Sequence, residues 1–385
     1  MKIYPPELIS VAGWTECHYR IEFETPGLAS ENLLLAVSDT FSDWTSSRME
    51  APVMASLFLA MALGEPIRVT GPISPRFHYG MRQICNYFHM WYPNQLSRVD
   101  LLCDEFEQGS TKASNVATCF SAGVDTFYTL WSQQSDREPL TSHQINYGLF
   151  VHGFDISLDD YALYDRLAHI YEDSLAQVQV RLVRCRTNIR SLIESKVDWM
   201  TLHGAAIQAV GLFLQSGLTR LFIPSTNRVS LLNPPIGSNP YTDPLSATES
   251  LEFIHHGCEA SRIQKIQAIA DWPLAQKNLR VCFQTIDDYP NCGHCPKCHK
   301  VMAPLWILDR LHLFTTFPPN FDPSTMHAEC FDSIDMSRYA PEQTYAEELS
   351  TLAESMGPKL RSRIPFPINK RDDHWIHRVF RRASI

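Results

Sequence analysis

The sequence lacks the features that would place it in a membrane or in a secreted class. No apolar run reaches the roughly 18 residues that a membrane-spanning helix needs, and the most apolar helical stretch, Ala205–Leu214, is too short. The segment Met1–Pro6 lacks the charged and then apolar layout of a signal peptide. We therefore expect a cytoplasmic protein that has no membrane partner.

An excess of positive charge is also lacking. The chain has 33 Lys and Arg against 42 Asp and Glu, a net charge of −9, which disfavours nucleic acid as a partner. The exception is the segment 359–385, which holds eight basic and two acidic residues. We expect this basic tail to be a docking or partly disordered terminus, with RNA or partner binding as the alternative.

The composition also excludes wholesale disorder, a collagen-like repeat and a coiled coil, because 44% of the residues are hydrophobic and 19% are charged. The 385 residues suggest two or three domains. We predict four segments: a mixed α+β N-terminal domain that could be a cap or partner site, an α/β domain, a small four-cysteine element, and a helical or irregular basic extension. Their bounds are 1–110, 111–281, 282–305 and 306–385.

The α/β prediction comes from alternating strand and helix patterns that begin at Asn115. Val116–Phe120 and Tyr147–Val151 are compact apolar runs typical of buried strands. Segments whose apolar residues have helical spacing lie between these runs and the later strand-like runs. Strands that are buried on both faces favour a parallel sheet with helices on both faces. In the N-terminal segment, Ser74 followed by Pro75 predicts the start of a helix.

A loop of small residues follows the first of these buried strands. It carries neither the Gly-Lys-Ser/Thr of a Walker loop nor a dinucleotide glycine pattern. Even so, Ser121–Thr126 has the layout strand, loop, helix, in which backbone N–H groups and hydroxyls point at an anion such as phosphate. The alternative is an ordinary turn in which Asp125 caps the helix.

Four of the eleven cysteines cluster at Cys282, Cys292, Cys295 and Cys298. Four thiolates at such short spacings can close a tetrahedron around Zn²⁺, and a closed four-cysteine set is typical of structural zinc. An iron–sulfur cluster is the rival, because the number of thiolates does not distinguish the two.

The run Ser121-Ala122-Gly123-Val124-Asp125-Thr126 resembles the pyrophosphate loop, or PP-loop, of the N-type ATP pyrophosphatases, Ser-Gly-Gly-Val/Ile/Leu-Asp-Ser. The resemblance implies that this run cradles the phosphates of ATP, with Asp125 holding Mg²⁺ or capping the helix. Two positions depart from the pattern: Thr126 keeps the hydroxyl, whereas Ala122 replaces a glycine. An alanine there would cost about 1 kcal/mol or more if the backbone needs a positive φ.

Taken together, this loop and the core Cys292-Gly293-His294-Cys295-Pro296-Lys297-Cys298 resemble the QueC (7-cyano-7-deazaguanine synthase) family over roughly residues 113–305. The resemblance implies an adenine nucleotide alpha-hydrolase-like fold and an ATP-dependent, AMP-forming ligase that uses ATP, Mg²⁺ and Zn²⁺. Its substrate would be a deazapurine acid similar to 7-carboxy-7-deazaguanine. Ammonia would give an amide and then a nitrile.

Four further segments look like a divergent QueC-like branch that is found in defence islands and biosynthetic clusters: Val151–Ile156, Thr187–Arg190, His203–Ala206 and Ser261–Ile266. The first 110 or so residues and the last 80 or so have no counterpart in the compact family enzyme. In that branch a protein amine could replace ammonia, which would make the protein a conjugating enzyme in antiviral defence. Two further alternatives stay open: a tRNA-modifying ATP pyrophosphatase and a non-catalytic nucleotide-binding protein. A homodimer is also left open.

Catalysis of this kind depends on positioning and on charge neutralisation at the phosphates, so cations are the residues to find. We predict catalytic roles for Asp125, Arg190, Arg262 and Lys265, although each could be an ordinary solvated charge. Substrate contacts are predicted for Asn188, Arg190 and Asp243, and a cofactor contact for Val151 at the end of its strand. Asn188 could equally be a turn residue.

Overall fold

The computed structural model describes residues 1–109, 113–231, 236–282, 289–319, 321–322 and 345–357. The strands are β1 Lys2–Ile3, β2 Glu7–Val11, β3 Trp14–Glu22, β4 Glu31–Ser38, β5 Ile67–Ile73, β6 Leu101–Phe106, β7 Asn115–Cys119, β8 Tyr147–His152, β9 Arg181–Thr187, β10 Leu218–Pro224 and β11 Glu252–His256. The helices are α1 Glu50–Leu63, α2 Pro75–Trp91, α3 Val124–Ser132, α4 Tyr161–Ala176, α5 Ile189–Ile193, α6 Trp199–Phe213, α7 Arg262–Ile269, α8 Pro273–Asn278, α9 Pro296–Ile307 and α10 Tyr345–Ser355.

Local sequence signals explain several of these boundaries. The Ser74 hydroxyl accepts a hydrogen bond from the N–H of Phe77, so α2 begins as predicted. Helix α1 ends at Gly64, whose φ of 70° is the left-handed conformation that glycine adopts at least cost. Between β2 and β3, Ala12 and Gly13 both have positive φ, which is the two-residue turn that suits the twist of a hairpin.

The described strands form one sheet in the order β11-β10-β7-β8-β9-β4-β3-β1-β5-β6, with β2 paired to β3. The neighbours from β11 to β9 are all parallel, whereas β4 pairs with β9 in the antiparallel sense. The protein is therefore α/β, with a large, mostly parallel sheet flanked by helices. The N-terminal strands extend the sheet of β7–β11 rather than forming a separate one.

The order of the five parallel strands creates a crevice beside β7. After β7 the chain adds β8 and β9 on one side, then crosses over to add β10 and β11 on the other. In open parallel sheets, ligands bind at the carboxyl ends of the strands where the winding reverses. Here the reversal lies between β7 and β10, so the crevice opens at the Ser121–Thr126 loop.

Helix α1 is buried along almost its whole length, from Glu50 to Met61. A helix that is apolar all round belongs in a core, and the one charge at its start is satisfied there. Glu50 accepts hydrogen bonds from the Arg48 Nε at 3.0 Å and from the Ser74 N–H at 2.7 Å. None of the described helices has both the length and the apolar character that crossing a bilayer requires.

The described chain divides into two compact units. The first is Met1–Lys265 with Asn278–Arg280, and the second is Ile266–Lys277 with the described residues from Val281 onward. The predicted domain boundary near residue 110 stays a prediction, and the strands on its two sides share one sheet. The basic tail lies outside the described residues.

Candidate functional site

The loop that follows β7 leaves the beginning of α3 open. Gly123 is the residue before the helix, and no side chain caps α3 in the described structure. The alternative in which Asp125 caps this helix is therefore wrong. The N–H groups of the first turn are left for another acceptor, as at helix N-termini that bind anions.

Within the loop, the two predicted hydroxyls lie side by side. The Ser121 Oγ is 3.2 Å from the Thr126 Oγ1, and the Ser121 N–H donates to the Thr126 Oγ1 at 3.5 Å. Ala122 between them is fully buried and has a φ of 58°. The loop thus holds an alanine in the left-handed conformation, and we expect a strain of about 1–2 kcal/mol.

The carboxylate of Asp125 faces two cations on α7. The Lys265 Nζ is 3.3 Å from the Asp125 Oδ1, and an Arg262 guanidinium nitrogen is 3.1 Å from the Asp125 Oδ2. The same Lys265 ammonium donates to the carbonyl oxygen of Ser225, the residue after β10. Lys265 therefore connects the end of β10 to the start of α3, across the crevice.

The ammonium group of Lys265 is in an unusual environment for a charge, because the side chain is only 1% exposed. Burial lowers the pKa of the ammonium below its ordinary value, and the charge of Asp125 opposes that shift. The ring of Tyr128 lies 5.7 Å from the Nζ, and the Tyr128 hydroxyl donates to Glu259. A desolvated ammonium at this position would attract an anionic ligand strongly.

Val151 is near the carboxyl end of β8, the neighbour of β7. The loop approaches β8 directly, since the Phe120 N–H donates to the Leu149 carbonyl at 2.8 Å. The structure therefore brings Val151 to the same sheet edge as the loop, and its predicted contact with a cofactor stays a prediction.

Arg190 lies in α5, after β9, and is engaged by other groups. Its Nε and one terminal nitrogen each donate to Glu194 at 2.9 Å, and the other terminal nitrogen donates to the Phe154 carbonyl at 2.8 Å. The guanidinium also lies 4.7 Å from the ring of Trp199. It shares the carboxyl edge of the sheet with the loop, but two strands away from β7. Its predicted catalytic role stays a prediction.

The amide of Asn188 is occupied by the backbone of the N-terminal segment. Its Oδ1 accepts from the Leu34 N–H at 2.8 Å, and its Nδ2 donates to the Asn32 carbonyl at 2.7 Å. Asn188 thus fastens the end of β9 to β4. The Oδ1 and the Nδ2 can each make one further hydrogen bond, so these contacts do not exclude a substrate, and the predicted substrate role is untested.

Asp243 is fully buried and accepts four hydrogen bonds. The donors are Gln208 Nε2 at 2.9 Å, Ser238 Oγ at 2.7 Å, the Asn239 N–H at 3.3 Å and His255 Nδ1 at 2.8 Å. These contacts join α6, the loop after residue 236 and β11. The structure thus assigns Asp243 a scaffolding position, and its predicted contact with the substrate is untested.

Sequence reasoning missed Arg280, which reaches the loop from a distant part of the chain. The Arg280 N–H donates to the Ala122 carbonyl at 2.8 Å, and the side chain is 9% exposed. Nothing in its sequence neighbourhood marks it as a ligand residue, because it follows a short helix and belongs to no recognised motif.

The four clustered cysteines of the second unit converge in the structure, and their Sγ atoms all lie within 4.8 Å of one another. Individual separations are 3.7 Å for Cys282 and Cys295, 3.8 Å for Cys292 and Cys298, and 3.5 Å for Cys295 and Cys298. Zinc–sulfur bonds of about 2.3 Å place the sulfurs of a tetrahedral site about 3.8 Å apart. The cluster could therefore hold a metal ion such as zinc.

Local features preorganise this cluster. Gly293 has a φ of 77°, which allows the tight turn after Cys292, and Cys295 caps α9 by accepting from the Cys298 N–H. The buried Asn291 accepts from the N–H groups of Val281 and Cys282 at 2.7 and 3.2 Å. Asn291 thereby holds the sequence-distant Cys282 beside the other three ligands.

The described structure also has a cavity of about 520 Å³ at the opposite edge of the sheet, near the amino end of β9. Its cations are already used. Arg184 pairs with Glu172 and Asp165, and the Arg181 guanidinium lies 5.1 Å from the ring of Phe41. We therefore favour the carboxyl edge.

Comparison of the chain with known proteins finds no matching family model, no matching curated protein and no matching solved structure.

Proposed function

We propose that the protein is an ATP-dependent, AMP-forming ligase of the QueC-like type, in which the Ser121–Thr126 loop binds the pyrophosphate end of ATP. The observation that carries the proposal is the position of this loop. It lies at the winding reversal of a parallel sheet, opens an uncapped helix, and faces a buried ammonium. The finer assignment to a PP-loop fold belongs to the same proposal.

The proposed reaction needs no protein nucleophile. A carboxylate oxygen of a deazapurine acid bonds to the α-phosphorus of ATP as the bond to the bridging oxygen of pyrophosphate breaks. An amine then bonds to the acyl carbon, loses a proton and expels AMP, which leaves an amide. Lys265 and Arg262 would neutralise charge on the departing pyrophosphate, and the N–H groups at the start of α3 would hold its oxygens.

Mg²⁺ enters this proposal bound to the nucleotide. Among the loop residues only Asp125 offers a carboxylate, and its two oxygens already face Lys265 and Arg262. The described residues of the loop therefore form no magnesium cage of their own. Sites that bind phosphates commonly take Mg²⁺ through the phosphates and one or two carboxylates.

For the cysteine cluster we propose structural zinc. All four ligand positions would be filled by thiolates, which leaves no open position for substrate or water. The zinc would therefore stabilise the second unit and take no part in the chemistry. Iron bound as a cluster is the alternative that a metal analysis distinguishes.

The test is product analysis. The purified protein is incubated with MgATP, 7-carboxy-7-deazaguanine and ammonia, nucleotides are separated, and the acid is followed by mass spectrometry. We expect AMP that appears only with the acid, together with a product mass of the amide or nitrile. A variant Lys265→Met should release AMP at a rate at least 10-fold lower, which corresponds to about 1.4 kcal/mol.

Other outcomes point to the alternatives. AMP formation that requires an added protein amine would identify the conjugating reaction instead. Tight ATP binding without AMP under every condition would favour a non-catalytic nucleotide-binding protein. Absence of ATP binding would contradict the proposal as a whole.

A further inference from the structure

We propose that Arg280 is an anion-binding residue of the loop and that it selects a polyphosphate over a single phosphate. This inference rests on the proposed function, because it names a further contact for the ligand of the Ser121–Thr126 loop. Arg280 belongs neither to the loop motif nor to the pair of cations on α7, Arg262 and Lys265.

The first argument is a guanidinium without a protein partner. Arg280 is only 9% exposed, yet among the described residues no carboxylate or carbonyl accepts a hydrogen bond from its guanidinium, and none of its nitrogens is a fully buried atom without a partner. A guanidinium stays charged in any protein, and one that is held by a mostly buried stem gains from a partner that binds its N–H groups. The other buried cation at the loop, Lys265, has both a carboxylate and a carbonyl as partners. The guanidinium of Arg280 is therefore open to a ligand that reaches the loop.

The second argument is location. The Arg280 N–H donates to the Ala122 carbonyl, which fixes this residue against the loop. The guanidinium is close enough to Tyr171 to oppose the effect of burial, which raises the pKa of the Tyr171 hydroxyl to about 12. The ring of Tyr171 lies 5.3 Å from that of Phe120, the residue that precedes the loop.

The backbone hydrogen bond to Ala122 and the electrostatic effect on Tyr171 together put Arg280 on a different flank of the loop from the two cations of α7. Lys265 and Arg262 approach from the β10 side, where Lys265 also contacts Ser225. Arg280 is associated with Tyr171 of α4, the helix that follows β8. A ligand that reaches both flanks must carry charge over more than one group.

The charge balance agrees with an anionic ligand. The three cations face two carboxylates, because the charge of Glu259 acts on Lys265 in addition to that of Asp125, and one positive charge is left uncompensated. A single phosphate can neutralise that charge but has only one group to share between the two flanks. A diphosphate or triphosphate has both the charge and the length, and each guanidinium can bind phosphate oxygens in bidentate geometry.

The test compares full-length wild-type protein with Arg280→Met and Arg280→Lys. Thermal unfolding and calorimetric titration are run with inorganic pyrophosphate, with inorganic phosphate and with MgATP. The control is Arg181→Met, which removes the same charge from the opposite edge of the sheet. We expect pyrophosphate to bind wild type at least 10-fold more tightly than phosphate does. In Arg280→Met that preference should fall to about twofold, while Arg280→Lys retains part of it and Arg181→Met all of it.

The stability of the ligand-free protein gives a second readout. Because Arg280 has no internal partner, Arg280→Met should leave the unfolding temperature unchanged or raise it, whereas a residue with a structural role would lower it. A clear fall in that temperature, or unchanged pyrophosphate binding by Arg280→Met, would overturn the inference and leave the proposed function standing. Failure of wild type to bind either pyrophosphate or ATP would instead overturn both.

Discussion

The cysteine cluster and the Ser121–Thr126 loop are two candidate binding sites built in opposite ways. The cluster takes all four donors from the 17 residues between Cys282 and Cys298, and three of them from seven. The loop gathers its charged groups from positions 125, 262, 265 and 280. The cluster is complete with one metal ion, whereas the loop retains excess positive charge.

This difference separates what a short motif can specify from what a fold must assemble. Ligands two residues apart are held together by the chain itself, so their spacing predicts the site. Lys265 contacts both Ser225 and Asp125 only because β10 and β7 are neighbours in the sheet. We expect the first site to stabilise structure and the second to exchange ligands, and the following predictions test that contrast.

The largest effect is expected from the cluster. Cys298→Ser should lose the bound metal, and the second unit should lose its cooperative unfolding, because structural zinc contributes on the order of 10 kcal/mol to such folds. Metal content per chain, measured by mass spectrometry of the purified protein, should fall from about one zinc to near zero. Cys258→Ser, outside the cluster, is the control and should keep the full metal content.

Metal analysis could also contradict this assignment. Iron with acid-labile sulfide, in place of zinc, would show that the cluster carries an iron–sulfur centre. Equal metal content in Cys298→Ser and wild type would remove the cluster from consideration.

The next effect concerns the scaffold at the carboxyl edge. Asp243→Ala should lower the free energy of unfolding by about 3–5 kcal/mol, because it leaves buried donors on Gln208, Ser238 and His255 without their acceptor. Urea unfolding measures this change. Asp155→Ala, at an exposed position, should change it by less than about 0.5 kcal/mol. A loss below about 1 kcal/mol for Asp243→Ala would mean that the network rearranges.

A smaller effect should appear in the pH dependence of the loop. Since burial lowers the pKa of Lys265, its charge is lost below the pH at which an ordinary lysine titrates. Affinity for pyrophosphate should therefore fall as the pH rises from neutral toward about 10, by up to about 10-fold. In Lys265→Arg the charge persists, so the part of this slope that is due to Lys265 should disappear.

Stability should move in the opposite direction over the same range. The cost of burying a charged Lys265 is fully present below the lowered pKa and is relieved as pH rises through it toward the ordinary value of 10.5. Wild type should thus gain stability relative to Lys265→Met across that window. Parallel pH profiles for the two proteins would contradict a lowered pKa.

The smallest effect is expected at Ala122. Replacement by glycine relieves about 1–2 kcal/mol of left-handed strain, but it removes a buried methyl group worth about 0.8 kcal/mol and adds about 0.4–1 kcal/mol of entropy to the unfolded chain, so Ala122→Gly should change the free energy of unfolding by less than about 1 kcal/mol. Ala12 also has a positive φ but is exposed, so Ala12→Gly should be more stabilising than Ala122→Gly. If Ala122→Gly destabilises by more than about 1 kcal/mol, packing of the methyl group outweighs the strain.

Several features of the fold follow from the sequence because their causes are local. The capped start of α2 at Ser74 and the alternation of strands and helices after Asn115 are examples. The pairing of β4 with β9 is not local. The run Asn32–Val37 does not predict β9 as its partner, since β9 lies about 150 residues further along the chain.

The same limit explains the candidate site residues. The loop and the positions of Arg262 and Lys265 on one helix could be predicted, whereas their joint contact with Asp125 depends on tertiary structure. The sequence alone also does not identify which polar turn residues face a ligand. Asn188 and Asp243 are turn residues of that kind, and their side chains are used to bind backbone and scaffold.

The antiparallel pairing of β4 with β9 has a consequence for biosynthesis. Leu35 and Thr187 become neighbours only after the ribosome has made the intervening chain, which takes roughly 8–30 s at about 5–20 residues per second. During that delay the edge of β4 has unpaired backbone groups and is a template for mispairing with other nascent chains. The yield of folded protein should therefore depend on elongation rate and on chaperones that bind the N-terminal strands.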